Sequence, residues 1–466
     1  MRNIFAAGAS ALALAVSAPA FAQNTSDIEQ NLGNGETADV EQIALAGSND
    51  SDIDQDGEGN TANVMQTSTA GDQNTSTILQ TATASDNLAD VTQNGEGNDS
   101  DIEQQGSDSF VYVDQDGSDN FSTVTQYELT DAASTVDIDQ NGNANSSSVG
   151  QVGSNATVNV IQTNTDLGSF GNTALVGQAA IDSTVDVTQD GQGNLANVSQ
   201  VALGSDVDVT QNGADNDALV IQAAGFSAID IDQEGDDNNA VAGQIALGST
   251  VGIDQDGSEN TALVGELSLD TVATVTQDGN ENFALVGQLG SSTELPSGLF
   301  DAADSSNFDA NIYQLGDNNS SVTGQLGVAN RVDVDQIGDN NDNGGVGLGA
   351  GIVQIGYNQE AVLMQNGDNL KSRIRQGTLG GGSSNFATVS QSGEFNDSLI
   401  EQDGDDNRAR VDQSGSGNFS EIYQSGTGNV ADVAQGAAGN ESVVSQTGTG
   451  NTALVGQNAA TPTGAF

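Results

Sequence analysis

Glutamine returns along this chain at a fixed interval. Gln178, Gln189, Gln200, Gln211, Gln222, Gln233, Gln244 and Gln255 stand eleven apart, Glu266 takes the next place, and Gln277 and Gln288 resume the series. A second unbroken run is Gln391, Gln402, Gln413, Gln424, Gln435, Gln446 and Gln457. Counting Glu266, 36 such positions lie between Gln30 and Gln457, and 26 of the 35 intervals are eleven residues long. A register held this long defines a repeat array, whatever else the chain contains.

Within each unit apolar residues alternate. From Ser183 the chain reads S-T-V-D-V-T-Q-D-G-Q-G-N-L-A-N-V-S-Q. Val185, Val187 and Gln189 share one parity; after a turn at Asp190–Gly193, Asn194, Ala196, Val198 and Gln200 share one face. Period two with β-branched residues predicts strands, and Gly and Asn in the link suit a tight turn. Links alternate between a polar kind (Gln189 to Asn194) and an apolar kind (Gln200 to Ser205). Two strands and two turns therefore form a 22-residue coil, and 36 markers predict about eighteen coils. The alternation slips phase between Gln55 and Gln93, leaving register there open.

Hairpins do not explain recurrence of Gln, Asn, Gly and Ala in register. Stacking does: coils about 4.8 Å apart place identical side chains above one another. A buried amide can then bond the next instead of costing about 1–3 kcal/mol unpaired. The expected fold is an all-β solenoid with two parallel sheets and Gln/Asn ladders, roughly 85 Å long at about 4.8 Å per coil.

Composition alone suggests otherwise. With 66 Asp+Glu against 7 Lys+Arg, net charge −59, 35% hydrophobic and 4% aromatic residues, the chain has the signature of disorder. The period overrules it, because a core two strands thick and filled with amides needs little apolar area. The absence of Cys and His excludes disulfides, thiolate nucleophiles, Ser-His-Asp triads and imidazole metal ligands. Carboxylates lie everywhere and converge nowhere, so no enzyme is expected. The acidity disfavours nucleic acid and anionic membranes and leaves cations as natural small partners.

Arg2, the apolar run Ile4 to Val16 and Ala20-Phe21-Ala22 fit a secretory signal peptide cut between Ala22 and Gln23. Losing Arg2 leaves a mature charge of −60 (6 basic minus 66 acidic). No later stretch suits a membrane span. The organisation expected is a leader at 1–22, one array at 23–457 with loops near 289–305 and 339–352, and a tail at 458–466. Pro19, Pro296 and Pro462 all fall outside the repeat units, as strand pairing requires.

These residues resemble the curlin repeat of curli fibre subunits, S-x5-Q-x-G-x-G-N-x-A-x3-Q. Ser183, Gln189, Gly191, Gly193, Asn194, Ala196 and Gln200 match every fixed position. From the first Gln onward Gln55, Gly57, Gly59, Asn60, Ala62 and Gln66 do the same, as do the stretches from Gln424 to Gln435 and from Gln446 to Gln457. The resemblance implies a secreted functional amyloid whose ladder positions, also including Gln211, Asn216, Gln222, Asn429 and Asn451, hold the core. It implies self-stacking into extracellular biofilm and adhesion fibres, reached through the periplasm, with a nucleator, a periplasmic chaperone and an outer-membrane secretion pore as partners. The chain departs from familiar curlins in length and in having Gln30 only eight residues into the mature sequence.

Asp52, Asp54, Asp56 and Gly57 match the start of an EF-hand loop, but Asn63 stands where the bidentate Glu belongs. They are the candidate metal ligands; no cofactor is expected beyond diffuse binding of calcium or other cations. Stacked carboxylates repel by about 0.9 kcal/mol per pair before screening, which suggests that charge restrains assembly during export. The mature chain's basic residues all lie in 331–410, where they are expected either to relieve that repulsion locally or to form a docking patch for an acidic rod or polymer. The functional reading is a polymerising structural protein; the alternative is a monomeric acidic β-solenoid adhesin stiffened by calcium.

Overall fold

The computed structural model describes residues 23–45, 47–68, 71–81, 85–128, 133–164, 170–290, 308–344, 351–377 and 382–458. The expected leader including Ala22, all three prolines, most of the first loop, 345–350 of the second and nearly all of the tail lie outside the described residues, and Ile352, expected in the second loop, begins the strand Ile352–Tyr357. Among them the regular structure is 37 strands with no α-helix. The chain forms two compact units, 1–225 and 226–466, each a parallel β-solenoid.

In the first unit, Thr184–Gln192 lies between Thr157–Asn164 and Asp206–Ala214, parallel to both. The next strand, Leu195–Leu203, lies in the other sheet between Thr173–Ile181 and Asp217–Gly225. Successive strands thus alternate between two sheets and pair with the second strand before and after. The second unit repeats the plan: Thr250–Ser258 joins Ala228–Asp236 and Val272–Asn280, and Thr261–Leu269 joins Asn239–Leu247 and Phe283–Gly290. With two strands per coil, the 36 markers correspond to about eighteen coils.

The side-chain parity holds. Val185, Val187, Gln189, Asn194, Ala196, Val198 and Gln200 are buried, while Asp190, Asn197 and Ser199 are exposed. Each inward valine is worth about 1.5–3 kcal/mol on burial, but a coil has only a handful of aliphatics, so the amides must be satisfied as well. The link is shorter than expected. Strand pairing continues through Gln189-Asp-Gly-Gln192, and only Gly193 and Asn194 separate it from Leu195. Gly191 pairs in register with Gly213, so this corner is itself a stacked arc.

Register survives every irregular interval. Across the phase slip Gln55, Gln80 and Gln104 align in one sheet, and Gln42, Gln66 and Gln93 in the other. Across the longest interruption Gln277 aligns with Gln314 and Gln288 with Gln325. Leu289 and Gly290, assigned to the loop from sequence, complete the strand Phe283–Gly290. Insertions leave at corners, where a parallel stack tolerates extra chain without shifting the pleat.

Candidate functional site: the amide ladders and open edges

Each interior Gln amide spans three coils. Gln189 accepts from Gln162 Nε2 at 2.8 Å, while its own Nε2 donates to Gln211 Oε1 at 2.8 Å and to Thr173 O at 3.0 Å. The same link joins Gln55 to Gln80, Gln66 to Gln93, Gln200 to Gln222, Gln424 to Gln446 and Gln435 to Gln457 at 2.8–2.9 Å. Every link runs one way: the earlier coil donates and the later accepts. Replacing Gln140 by Leu tests the ladder. The change strips Gln115 Nε2 of one of its two acceptors, Asp99 O remaining, and Gln162 Oε1 of its donor. At about 1–3 kcal/mol per orphaned buried group, the first unit should lose about 3 kcal/mol, read from the urea midpoint.

Corners carry their own ladders. Asn194 and Asn216 donate their backbone N–H groups to the Oδ1 of the preceding Asn, Asn172 and Asn194, at 3.2 and 3.1 Å. Asn60 receives Asn87 N–H, and Asn429 receives Asn451 N–H, in the same way. At the opposite corner Ser205 N–H donates to Ser183 Oγ at 3.2 Å. Ala196 packs inward with no exposure. Gly191, at φ +121°, would place a Cβ 1.9 Å from Gly213 O. Gly193 supplies the left-handed residue before Asn194 at φ +69°, but Asp215, Asp237 and Glu259 fill that place later at φ 55–58°. Sequence reading missed this position because acidic residues there looked like surface charge; their occurrence just before the Asn was the available signal.

The acids form uncompensated columns outside. Glu234, Asp256 and Asp278 align on successive coils, as do Asp232 and Asp254. Partial burial, then Asp232, Asp256, Asp230 and Asp278, push the Asp254 carboxyl above the usual range; burial and four neighbouring aspartates do the same to Asp114. Asp52, Asp54 and Asp56 occupy the outer side of the strand Asn49–Glu58, flanking the buried Ile53 and Gln55. They lie on extended chain, not in a loop, and among the described residues no three His, Cys, Asp or Glu are grouped to hold a metal ion. Arg331 sits among Asp309, Asp333 and Glu360 at 3.4–3.8 Å, and Arg375 meets Glu401 at 3.2 Å. Burial pushes the Asp397 carboxyl above its usual range, a rise that Arg373 and Lys371 only partly offset.

The ladder ends are complementary. At the first described coil, Gln30 and Gln42 donate onward to Gln55 and Gln66, and no described residue donates to their Oε1 atoms. At the last coil, Gln446 Nε2 donates to Val430 O and Gln457 Nε2 to Glu441 O, and neither meets a further Gln among the described residues. One edge offers acceptors and the other donors.

Stacked, one-directional amide ladders inside two parallel sheets define a β-solenoid among the described residues. The Curlin associated repeat matches residues 84–127, 132–163, 227–257, 307–338, 382–415 and 404–436; the chain carries curlin repeats over these stretches and is similar there to the curlin repeat family, which is structural and non-enzymatic. No curated protein matches it in sequence. No helix among the described residues is long and apolar enough to cross a membrane.

Proposed function

We propose that this protein is a secreted, curli-like structural subunit that stacks head to tail into extracellular amyloid-like fibres of a biofilm matrix, serving adhesion and cell aggregation. The complementary edges carry the reading: among the described residues, Gln amides that meet no further Gln acceptor at one end match Gln amide oxygens that meet no Gln donor at the other. A heterologous contact of this kind repeats without closing, and exposed strand edges template addition. Secretion, self-association and the partners of an export route follow from the curlin repeat as part of the same proposal. The test is to purify the mature chain and follow it by imaging and fibre diffraction. A cross-β spacing of about 4.7–4.8 Å is the expected result. A persistent monomer that loosens in chelator would favour a calcium-stiffened adhesin instead.

Acidic columns must meet at each new junction. Raising salt from about 0.01 M to about 0.15 M shortens the Debye length from about 30 Å to about 8 Å, so the lag before fibre growth should shorten several-fold. Mild acid should act likewise, because carboxyls such as Asp114 and Asp254 accept protons at higher pH than free aspartate. A lag indifferent to salt would remove charge as the brake.

A further inference from the structure

Among the described residues the Gln series contains one carboxyl, Glu266, and the ladder stops there. Gln244 Nε2 donates to Glu266 Oε2 at 3.1 Å. On the far side Gln288 stands in register with Glu266, yet Glu266 Oε1 and Gln288 Oε1 are both buried and without a partner. An ionised carboxylate only accepts, as does the Gln carbonyl oxygen, so no hydrogen bond can form between them. Beyond the gap the ladder resumes, with Gln288 Nε2 donating to Gln325 Oε1 at 2.9 Å and to Val272 O at 3.2 Å.

We infer that Glu266 is a proton-binding site: one proton on its carboxyl donates to Gln288 Oε1 and completes the ladder between the coils before and after it. The neutral acid then does what glutamine does elsewhere, accepting from the preceding coil and donating to the next. Among the described residues its surroundings offer no countercharge. The inward groups nearby are Ala240, Ala242, Gln244 and Ala246 before it, Ala284, Val286 and Gln288 after it, and Val251, Ile253, Gln255, Ala273, Val275 and Gln277 opposite. Ser268 and Thr271 complete the corner. The acids of these strands and corners, Asp254, Asp256, Glu259, Asp270, Asp278 and Glu281, are exposed. Burial pushes the Glu266 carboxyl up to about 7, opposed by hydrogen bonds from Gln244 and Thr271.

The direction of the pH effect follows. The folded state holds this proton more tightly than the unfolded chain, whose glutamate titrates near 4.5. The stability that it confers is complete below that value and is lost as pH rises through about 7. Coils 239–290 therefore tighten in mildly acidic surroundings and loosen in alkaline ones.

Glu266→Gln in the full mature chain tests this, since it places the standard ladder residue at the site. At pH 8 hydrogen exchange in 239–247, 261–269 and 283–290 should be slower in the variant than in wild type by two to three orders of magnitude, roughly tenfold for each pH unit between 4.5 and about 7. Below pH 4.5 the ratio should approach one. Comparing variant with wild type at each pH cancels intrinsic exchange chemistry. Infrared difference spectra should show a protonated carboxyl band in wild type, absent from the variant and lost above pH 8. Equal protection at both pH values, or no such band, would overturn the assignment.

Discussion

Gly257→Ala will destabilise the second unit by about 4 kcal/mol, whereas Gly265→Ala in the following strand will be neutral or slightly stabilising. Gly257 lies at φ +123°, and a Cβ there would stand 1.9 Å from Gly279 O. The obstacle is backbone, held by its own pairing to the next coil, so it cannot swing aside as a side chain would. Backbone strain of about 1–3 kcal/mol adds to about 1–3 kcal/mol of overpacking. The same conflict recurs at Gly279, facing Gly316 O at 2.2 Å, so relaxation cannot propagate along the column. Gly265 points outward with nothing within 4 Å of a built Cβ, and alanine there gains up to about 1 kcal/mol by restricting the unfolded chain. Urea midpoints of the two variants check the contrast; similar values would show that the column is not close-packed.

Much of this was legible in the sequence because a stacked coil translates spatial identity into sequence period. Gln189, Gln211 and Gln200 announce their shared columns by spacing alone, and the parity of Val185, Val187, Ala196 and Val198 assigns inside and outside. Four things were not legible, each for a physical reason. The corner at Gln189–Gln192 read as a turn because Gly and Asn tolerate several backbone states, and only inter-coil pairing shows that the arc is stacked. The left-handed residue before each Asn was hidden by side-chain identity, since Gly193, Asp215, Glu259 and even Phe395 occupy it. Register between Gln55 and Gln93 was obscured because corner insertions change the interval without changing the stack. The uniform direction of the amide ladder, from which the complementary edges follow, is set by side-chain torsions that no spacing encodes.

Leu454→Pro will turn this protein into a chain terminator: a minority of the variant mixed with wild type should sharply slow fibre elongation, although the variant itself stays folded. The last strand, Thr452–Gln457, pairs with Val430–Gln435. Val430 N–H donates back to Asn451 O, and Gly436 N–H to Gln457 O. Successive residues of a strand address opposite edges, so Thr452, Leu454 and Gly456 present their backbone groups to the open side. The Leu454 side chain is outward and 56% exposed, and proline is tolerated on an edge strand whose N–H serves no partner. The variant therefore retains its core and its acceptor edge, and it can dock onto a growing wild-type end. Once docked, it offers the next subunit a missing donor and a ring where a backbone should approach. Leu454→Ala, which keeps the N–H, should elongate at the wild-type rate. Circular dichroism establishes that both variants are folded, and seeded growth measures elongation. If the proline variant copolymerises without slowing growth, subunits do not add through this edge.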